Sequence, residues 1–280
     1  MPDKYFGVVE GFYRRPYTFS QRLNLINFLS ELKLNTYVYA PKSDPYHRRE
    51  YYKPYPTERI KEFASLNNRA EEKKIIFNYA LSPGPKPESK LIIKKIKQLV
   101  HAGIKHFSIL YDDIKIELNK ENARIQTDSA NELYVFLKEQ FNNTTIFFCP
   151  TQYCGLKESE YIFYIAENLH PEIEIFWTGK NVVSKRITEI QVNRISAIYK
   201  RAPLIWDNIF ANDYIPGVIW KFPYRNREPE IVEKVSGILI NPMNQYQQSK
   251  PLIFTAAKFF SAPFNYSPKK VLQEARHLLS

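Results

Sequence analysis

Asp112 and Asp113 are adjacent carboxylates at the end of an apolar run, Phe107–Tyr111. The run is short and rich in aliphatic and aromatic residues, and a polar segment follows from Lys115, which predicts a buried strand. Successive strand residues point to opposite faces. Both acids therefore reach one site only where the strand has ended and the chain turns. The C-terminal end of a buried strand is where α/β enzymes place their chemistry. Taken alone, the pair fits a solvated loop tip or a helix cap equally well.

The other residue types narrow the chemistry. There is no H-E-x-x-H metal motif and no G-x-S-x-G nucleophile elbow, and the five histidines are dispersed. Asp112, Asp113 and Asp213 have the oxygen donors for a hard cation. A Lys42 sharing their site would oppose one, so no metal and no cofactor is expected. What remains is acids, amides and aromatics: Asp112, Asp113, Asp207, Asp213, Asn208, Asn241, Tyr153, Trp177 and Trp206. Such a set suits carbohydrate, with polar groups on the hydroxyls and rings against the apolar sugar face. Most glycosidases straddle the scissile bond with two separated carboxylates. Neighbouring acids fit the exception better, in which the sugar's own 2-acetamido oxygen attacks the anomeric carbon. One Asp then orients the amide N–H and the other protonates the leaving oxygen.

Short apolar runs recur at intervals of about 30–40 residues: Tyr5–Val9, Thr36–Ala40, Ile75–Leu81, His106–Tyr111, Thr145–Phe148, Glu174–Trp177, Leu204–Trp206 and Ile238–Ile240. Amphipathic stretches fill most gaps, among them Ser20–Leu32, Thr57–Lys73, Ser89–Ala102, Asp128–Gln140, Ser159–Leu169 and Ile187–Arg201. Eight strand–helix units predict an α/β fold, a single (β/α)8 TIM barrel. A doubly wound sheet is the alternative, and no G-x-G-x-x-G or Walker pattern supports it. Polar and aromatic groups follow every strand, and in a barrel those ends share one face. Residues 1–263 are read as the barrel, and 264–280 as an extra C-terminal helix packed on it.

With 280 residues, 44% of them hydrophobic, the chain can bury a large core unaided. Two cysteines, Cys149 and Cys154, imply neither a disulfide framework nor a zinc site. No signal peptide and no run of about 18 apolar residues is visible, so a cytoplasmic location and no membrane span are expected. Export by a route without a cleaved signal is the other course. The net charge of +11 is spread over helical segments and reads as a solvated basic face rather than a nucleic-acid site.

A series of motifs then resembles glycoside hydrolase family 84, the protein O-GlcNAcases and related bacterial β-N-acetylglucosaminidases. The stretches are Gly7–Tyr13 (GVVEGFY), Asn35–Lys42 (NTYVYAPK), Leu81–Gly84 (LSPG), Tyr111–Ile114 (YDDI) and Phe148–Gly155 (FCPTQYCG). Trp177–Gly179, Val182–Ser184, Trp206–Asn208 with Ala211–Asp213, and Asn241-Pro242 follow in order. Together they reach from residue 4 to about 260, and Arg201–Ile209 with Phe148–Gly155 resemble the eukaryotic members.

The resemblance implies a retaining exo-β-N-acetylglucosaminidase that removes O-linked GlcNAc from Ser or Thr of proteins through an oxazoline. Asp112 would hold the acetamido nitrogen, and Asp113 would be the acid and then the base. Tyr153 would bond the acetamide oxygen, and Cys149 and Trp206 would line its pocket. Gly11, Lys42, Asp213 and Asn241 would bind ring hydroxyls, with Asn208 near the reacting centre. Two other readings stay open: a hydrolase of β-GlcNAc on oligosaccharide, hyaluronan-like or cell-wall glycans, and a GlcNAc-binding pseudoenzyme. The partners expected are O-GlcNAc proteins or β-GlcNAc glycans, with no nucleic acid and no membrane. The helical stalk that dimerises the eukaryotic enzymes is not in the chain, so a monomer is expected.

The chain departs from the pattern at Arg14 and Tyr17, often Gly and Trp, at Gln152, often Glu, and at Lys115, where eukaryotic members carry Asp. The segment Ile219–Arg227 keeps only Pro223 and Tyr224 followed by basic residues. These changes leave the acetamide chemistry intact and bear on the leaving group.

Overall fold

The computed structural model describes residues 2–279. Its strands are β1 (Tyr5–Glu10), β2 (Thr36–Tyr39), β3 (Ile76–Leu81), β4 (His106–Leu110), β5 (Ile146–Cys149), β6 (Ile173–Trp177), β7 (Leu204–Asp207) and β8 (Gly237–Ile240). They pair in parallel in chain order, and β8 closes on β1 to complete a barrel. The outer layer is α1 (Phe19–Glu31), α2 (Thr57–Glu72), α3 (Ser89–His101), α4 (Lys120–Gln140), α5 (Glu160–Asn168), α6 (Glu189–Tyr199), α7 (Ile231–Lys234) and α8 (Tyr246–Ser261). A further helix, α9 (Pro268–Leu279), packs on α8. The (β/α)8 barrel expected from strand spacing is the observed architecture.

Local sequence explains the element ends. Thr18 and Thr188 cap α1 and α6 in capping boxes with Gln21 and Gln191. Helix α4 begins at Lys120, eight residues before the expected Asp128. Its first turns look polar, yet Ala123, Gln126 and Thr127 are buried. Helix α8 contains Pro251, which reads as a breaker in sequence. Among the described residues no helix is long and apolar enough to cross a membrane.

The strand period positions the site. One side of the strands fills the barrel interior with Val9, Val38, Ala40, Leu110, Phe147, Cys149, Phe176, Trp206 and Leu239. The intervening residues, such as Val8, Tyr37, Ile109, Phe148 and Ile205, pack outward under the helices. Continuing the inward parity by one step past each apolar residue gives Gly11 after Val9, Lys42 after Ala40 and Asp112 after Leu110. The same step gives Cys149 after Phe147, Asn208 after Trp206 and Asn241 after Leu239. Alternation alone therefore delivers these groups to the C-terminal mouth.

The outward parity at the same strand ends carries two buried ion pairs. Arg22 of α1 donates to Glu10 through Nε and Nη2 at 2.9 and 2.7 Å, with the Tyr37 hydroxyl on the same carboxylate at 2.5 Å. Arg227 donates to Asp207 at 2.8 and 2.5 Å, joined by the Tyr224 hydroxyl at 2.8 Å. Both carboxylates are essentially inaccessible. Breaking such a pair leaves an uncompensated buried charge and costs about 3–5 kcal/mol.

Candidate active site

A cavity of about 190 Å³ opens at the C-terminal mouth of the barrel. Its wall includes all ten residues to which the family resemblance gives a role: Gly11, Lys42, Asp112, Asp113, Cys149, Tyr153, Trp206, Asn208, Asp213 and Asn241. Its volume is below the roughly 300–1,000 Å³ of sites for drug-sized ligands. It suits one sugar ring rather than a chain.

The acid pair lies on the turn that the sequence required. Strand β4 ends at Leu110, and Asp113 has φ +55°, a left-handed value that Asp tolerates better than most residues. The turn brings both acids to one cavity. Lys42 Nζ donates to Asp112 Oδ2 at 2.5 Å, and the pair is almost wholly buried. Oδ1 of Asp112 is buried with no hydrogen-bond partner among the described residues. A buried acceptor left open costs free energy until a donor arrives.

Asp113 is held at both oxygens. The Tyr13 hydroxyl donates to Oδ2 and the Tyr153 hydroxyl to Oδ1, each at 2.7 Å. Partial burial alone would raise its pKa. The two phenols, followed by the charges of Lys42 and Arg48, outweigh burial and hold the carboxyl below its usual range. Burial and the bond to Asp113 push the Tyr13 phenol up to about 12, and the Tyr153 phenol is raised by the same causes. Burial also raises the Cys149 thiol well above its ordinary value, so it lines the cavity as a neutral group.

The far wall is an amide ladder. Trp206 Nε1 donates to Asn208 Oδ1 at 3.0 Å, and Asn241 Nδ2 reaches the same oxygen at 2.8 Å. The Gly11 N–H donates to Asn241 Oδ1 at 3.2 Å, and Asn208 Nδ2 donates to the Val182 carbonyl at 2.8 Å. The Lys42 ammonium sits 5.3 Å from the centre of the Trp206 ring, a cation–π distance. Gly11 must be glycine, because a Cβ there would lie 2.0 Å from the Trp206 ring.

Asp213 stands on the loop after β7. Its Oδ2 accepts the Tyr13 N–H at 2.7 Å, and its carbonyl accepts Arg14 Nε at 2.6 Å. Arg14 has φ +72°, a conformation that favours glycine, and its side chain ties the β1 loop to the β7 loop.

Two residues of the carbohydrate set are not in the cavity. Asp207 faces outward into its ion pair with Arg227. Trp177 is fully buried and donates Nε1 to the Gly155 carbonyl at 3.0 Å. Strand parity explains both, since each is one residue out of step with the inward set. Arg14, Tyr17, Lys115 and Gln152 are not in the cavity wall either. Sequence reasoning missed Tyr13, Thr178, Val182, Val183, Ala211 and Tyr214 in the wall. Thr178 was available from parity, two residues after inward-facing Phe176. Tyr13 ends the GVVEGFY stretch, but nothing in its spacing announced a bond to Asp113.

A family model described as beta-N-acetylglucosaminidase matches residues 6–280. Protein O-GlcNAcase of Rattus norvegicus and that of Mus musculus are each 38% identical over 286 residues, covering 95% of this chain and 31% of their own length. The chain thus spans about a third of these relatives. Among solved structures, a mutant of the Thermobaculum terrenum O-GlcNAc hydrolase superposes with a TM-score of 0.93 at 31% identity. That match covers 98% of this chain and 63% of the other.

Proposed function

The chain belongs to the β-N-acetylglucosaminidase family, glycoside hydrolase family 84, and on that premise we propose that it removes O-linked GlcNAc from Ser or Thr of proteins with retention. The observation that carries the reading is the unequal treatment of the two acids. Asp112, in the cavity wall, keeps one buried oxygen without a partner and its other oxygen on Lys42. Asp113 is restrained at both oxygens by phenols at the rim. In the proposed reading Asp112 accepts an N–H of the substrate and Asp113 exchanges a proton.

In this mechanism the acetamide N–H donates to the open oxygen of Asp112, and the acetamide carbonyl oxygen attacks C1. The bond from C1 to the Ser or Thr oxygen breaks, and that oxygen takes the proton of Asp113. The N–H proton passes to Asp112 as the oxazoline ring forms and returns to nitrogen when water opens the ring at C1, the water giving its own proton to Asp113. Two inversions leave the β-configuration. The carboxyl of Asp113 is held ionised in the empty site, so occupancy must raise its proton affinity. Sugar displaces water from the carboxylate, and Tyr153 turns its hydroxyl to the acetamide oxygen, which removes one stabilising bond.

The test is a series of aryl β-GlcNAc substrates with zero to three fluorines on the N-acetyl methyl, run beside an O-GlcNAc peptide and β-GlcNAc oligosaccharides. Fluorine withdraws electrons from the attacking oxygen, so the rate should fall steeply with each one. A fluorine-independent rate with a trapped glycosyl-aspartate would overturn the mechanism. Hydrolysis of oligosaccharides alone would overturn the protein substrate.

A further inference from the structure

Next to the sugar cavity lies a second concavity of about 470 Å³ that shares Val183 and Tyr214 with it, so the two adjoin. Its lining includes Trp220, Phe222 and Arg225, from the segment that departs from the family pattern. Trp220 is fixed by its Nε1 bond to the Ala211 carbonyl at 3.0 Å. Phe222 packs on Phe210 with ring centres 5.8 Å apart. The Trp220 and Phe222 rings are 5.3 Å apart and tilted by 50°. They form a cleft for a side chain rather than a flat platform for a sugar face.

The edge of this groove is cationic. The Arg225 guanidinium sits 4.4 Å from the Phe222 ring centre, and Lys185 lines the same concavity. Their neighbours Arg186 and Arg227 are paired with Glu228 and Asp207. Among the described residues, neither Arg225 nor Lys185 has a carboxylate at ion-pair distance. The ring of Tyr214, at the junction with the sugar cavity, is 53% exposed.

We propose that this groove is the leaving-group subsite and takes the polypeptide flanking the glycosylated Ser or Thr. An apolar or aromatic side chain seats on Trp220 and Phe222, and an acidic side chain reaches Lys185 and Arg225. The proposal rests on the protein-substrate reading above. Its ground is the continuity of the groove with the cavity and the match between unpaired cations and an anionic side chain. A neutral β-GlcNAc chain would leave those cations unused.

The test uses the purified chain with three kinds of substrate. An aryl β-GlcNAc fills only the sugar cavity. A set of O-GlcNAc peptides places Leu, Trp, Glu or Lys at each flanking position. A uronate-containing oligosaccharide ends in β-GlcNAc. The expected result is an increase in kcat/KM of about tenfold for an apolar residue on one flank. Glu over Lys should add about two- to fivefold at low salt, fading as salt rises. Lys185→Ala and Arg225→Ala should erase the Glu preference, and Trp220→Ala the apolar one. The two charge variants should keep the aryl rate and the melting temperature. A flat peptide scan, or preferences that survive all three substitutions, overturns the groove while leaving the deglycosylation reading intact. Faster turnover of the uronate chain than of the best peptide, with the same dependence on Lys185 and Arg225, assigns the groove to glycan and overturns the proposal. Aryl hydrolysis with no peptide hydrolysis at all overturns both readings.

Discussion

The hydroxyl of Tyr13 donates to Oδ2 of Asp113 across 2.7 Å, and the backbone N–H of the same tyrosine holds Asp213. One residue of the β1 loop thus touches the proposed proton donor and a proposed sugar-hydroxyl ligand. With Tyr153 it also lowers the pKa of Asp113 against the opposing effect of burial.

A direction for the pH profile comes from this. The pH dependence of kcat/KM reports the free enzyme. In the proposed mechanism Asp113 acts protonated, so its pKa sets the alkaline limb. Each phenol favours the ionised form. Tyr13→Phe and Tyr153→Phe should therefore raise the pKa and move that limb to higher pH. A limb that stays or moves to lower pH in both variants would contradict the clamp.

The two acids should differ in their sensitivity to the leaving group. Loss of a positioned general acid costs about 10²–10⁴ in rate. Asp113→Ala should pay that factor on an O-GlcNAc peptide and much less on an activated aryl glycoside, whose leaving group needs little protonation. Asp112→Ala should slow both alike, because ring closure precedes departure in each. Equal losses on both substrates for both variants would sink the division of roles.

Gly11→Ala forces a methyl against the indole of Trp206, and overpacking of this kind costs about 1–3 kcal/mol. The ring also holds Asn208 and stacks under Lys42. Activity and urea stability should fall together. The double variant Gly11→Ala, Trp206→Phe should recover stability over the single one, because the smaller ring leaves room. A fully stable Gly11→Ala single variant would rule out the close approach.

Acid should weaken the fold from an early point. Burial first, then the charge of Lys42, lowers the pKa of His47 from 6.5 to about 3, and burial lowers that of His106 to about 4. His106 Nδ1 accepts the Thr145 N–H at 3.1 Å, a bond that protonation of that nitrogen removes. Below about pH 6.5 the unfolded chain takes up protons that the folded chain refuses, so stability falls with pH until both histidines titrate. Melting temperature followed from pH 7 to pH 4 should decline, and His106→Asn should flatten the curve. An unchanged slope in that variant would exclude His106 as a cause.

Much of this was readable in the chain. Eight apolar runs with amphipathic spacers announced the barrel because burial on both faces leaves continuous hydrophobic strands. Extending the inward parity of Val9, Ala40 and Leu110 would also have picked out Gly11, Lys42 and Asp112 without any relative. The remainder depends on longer-range geometry. Asp207 looked available for sugar until its partner arrived from position 227. The Tyr13 bond to Asp113 needs a left-handed residue at 113 and a loop from β1, which no local pattern encodes. The polar start of α4 hid a helix whose Gln126 is buried against a neighbouring loop, donating to Thr151 at 2.9 Å.

Arg227 is buried and lines neither concavity. Besides Asp207, its guanidinium reaches the carbonyls of Ser184 at 3.0 Å, Lys185 at 3.4 Å and Arg225 at 3.2 Å. A single inaccessible cation therefore pins the end of β7, the Val182–Ser184 wall and the groove margin to one another. The frame of the rim is in this way separate from its lining. The bonds of this anchor run to Asp207 and to main-chain carbonyls, not to the Trp220 and Phe222 side chains that line the groove. On the proposed reading, a changed side chain in the groove would leave that anchor standing, and Trp220, bonded to the carbonyl of Ala211 in the cavity wall, is the position from which such a change would also reach the sugar.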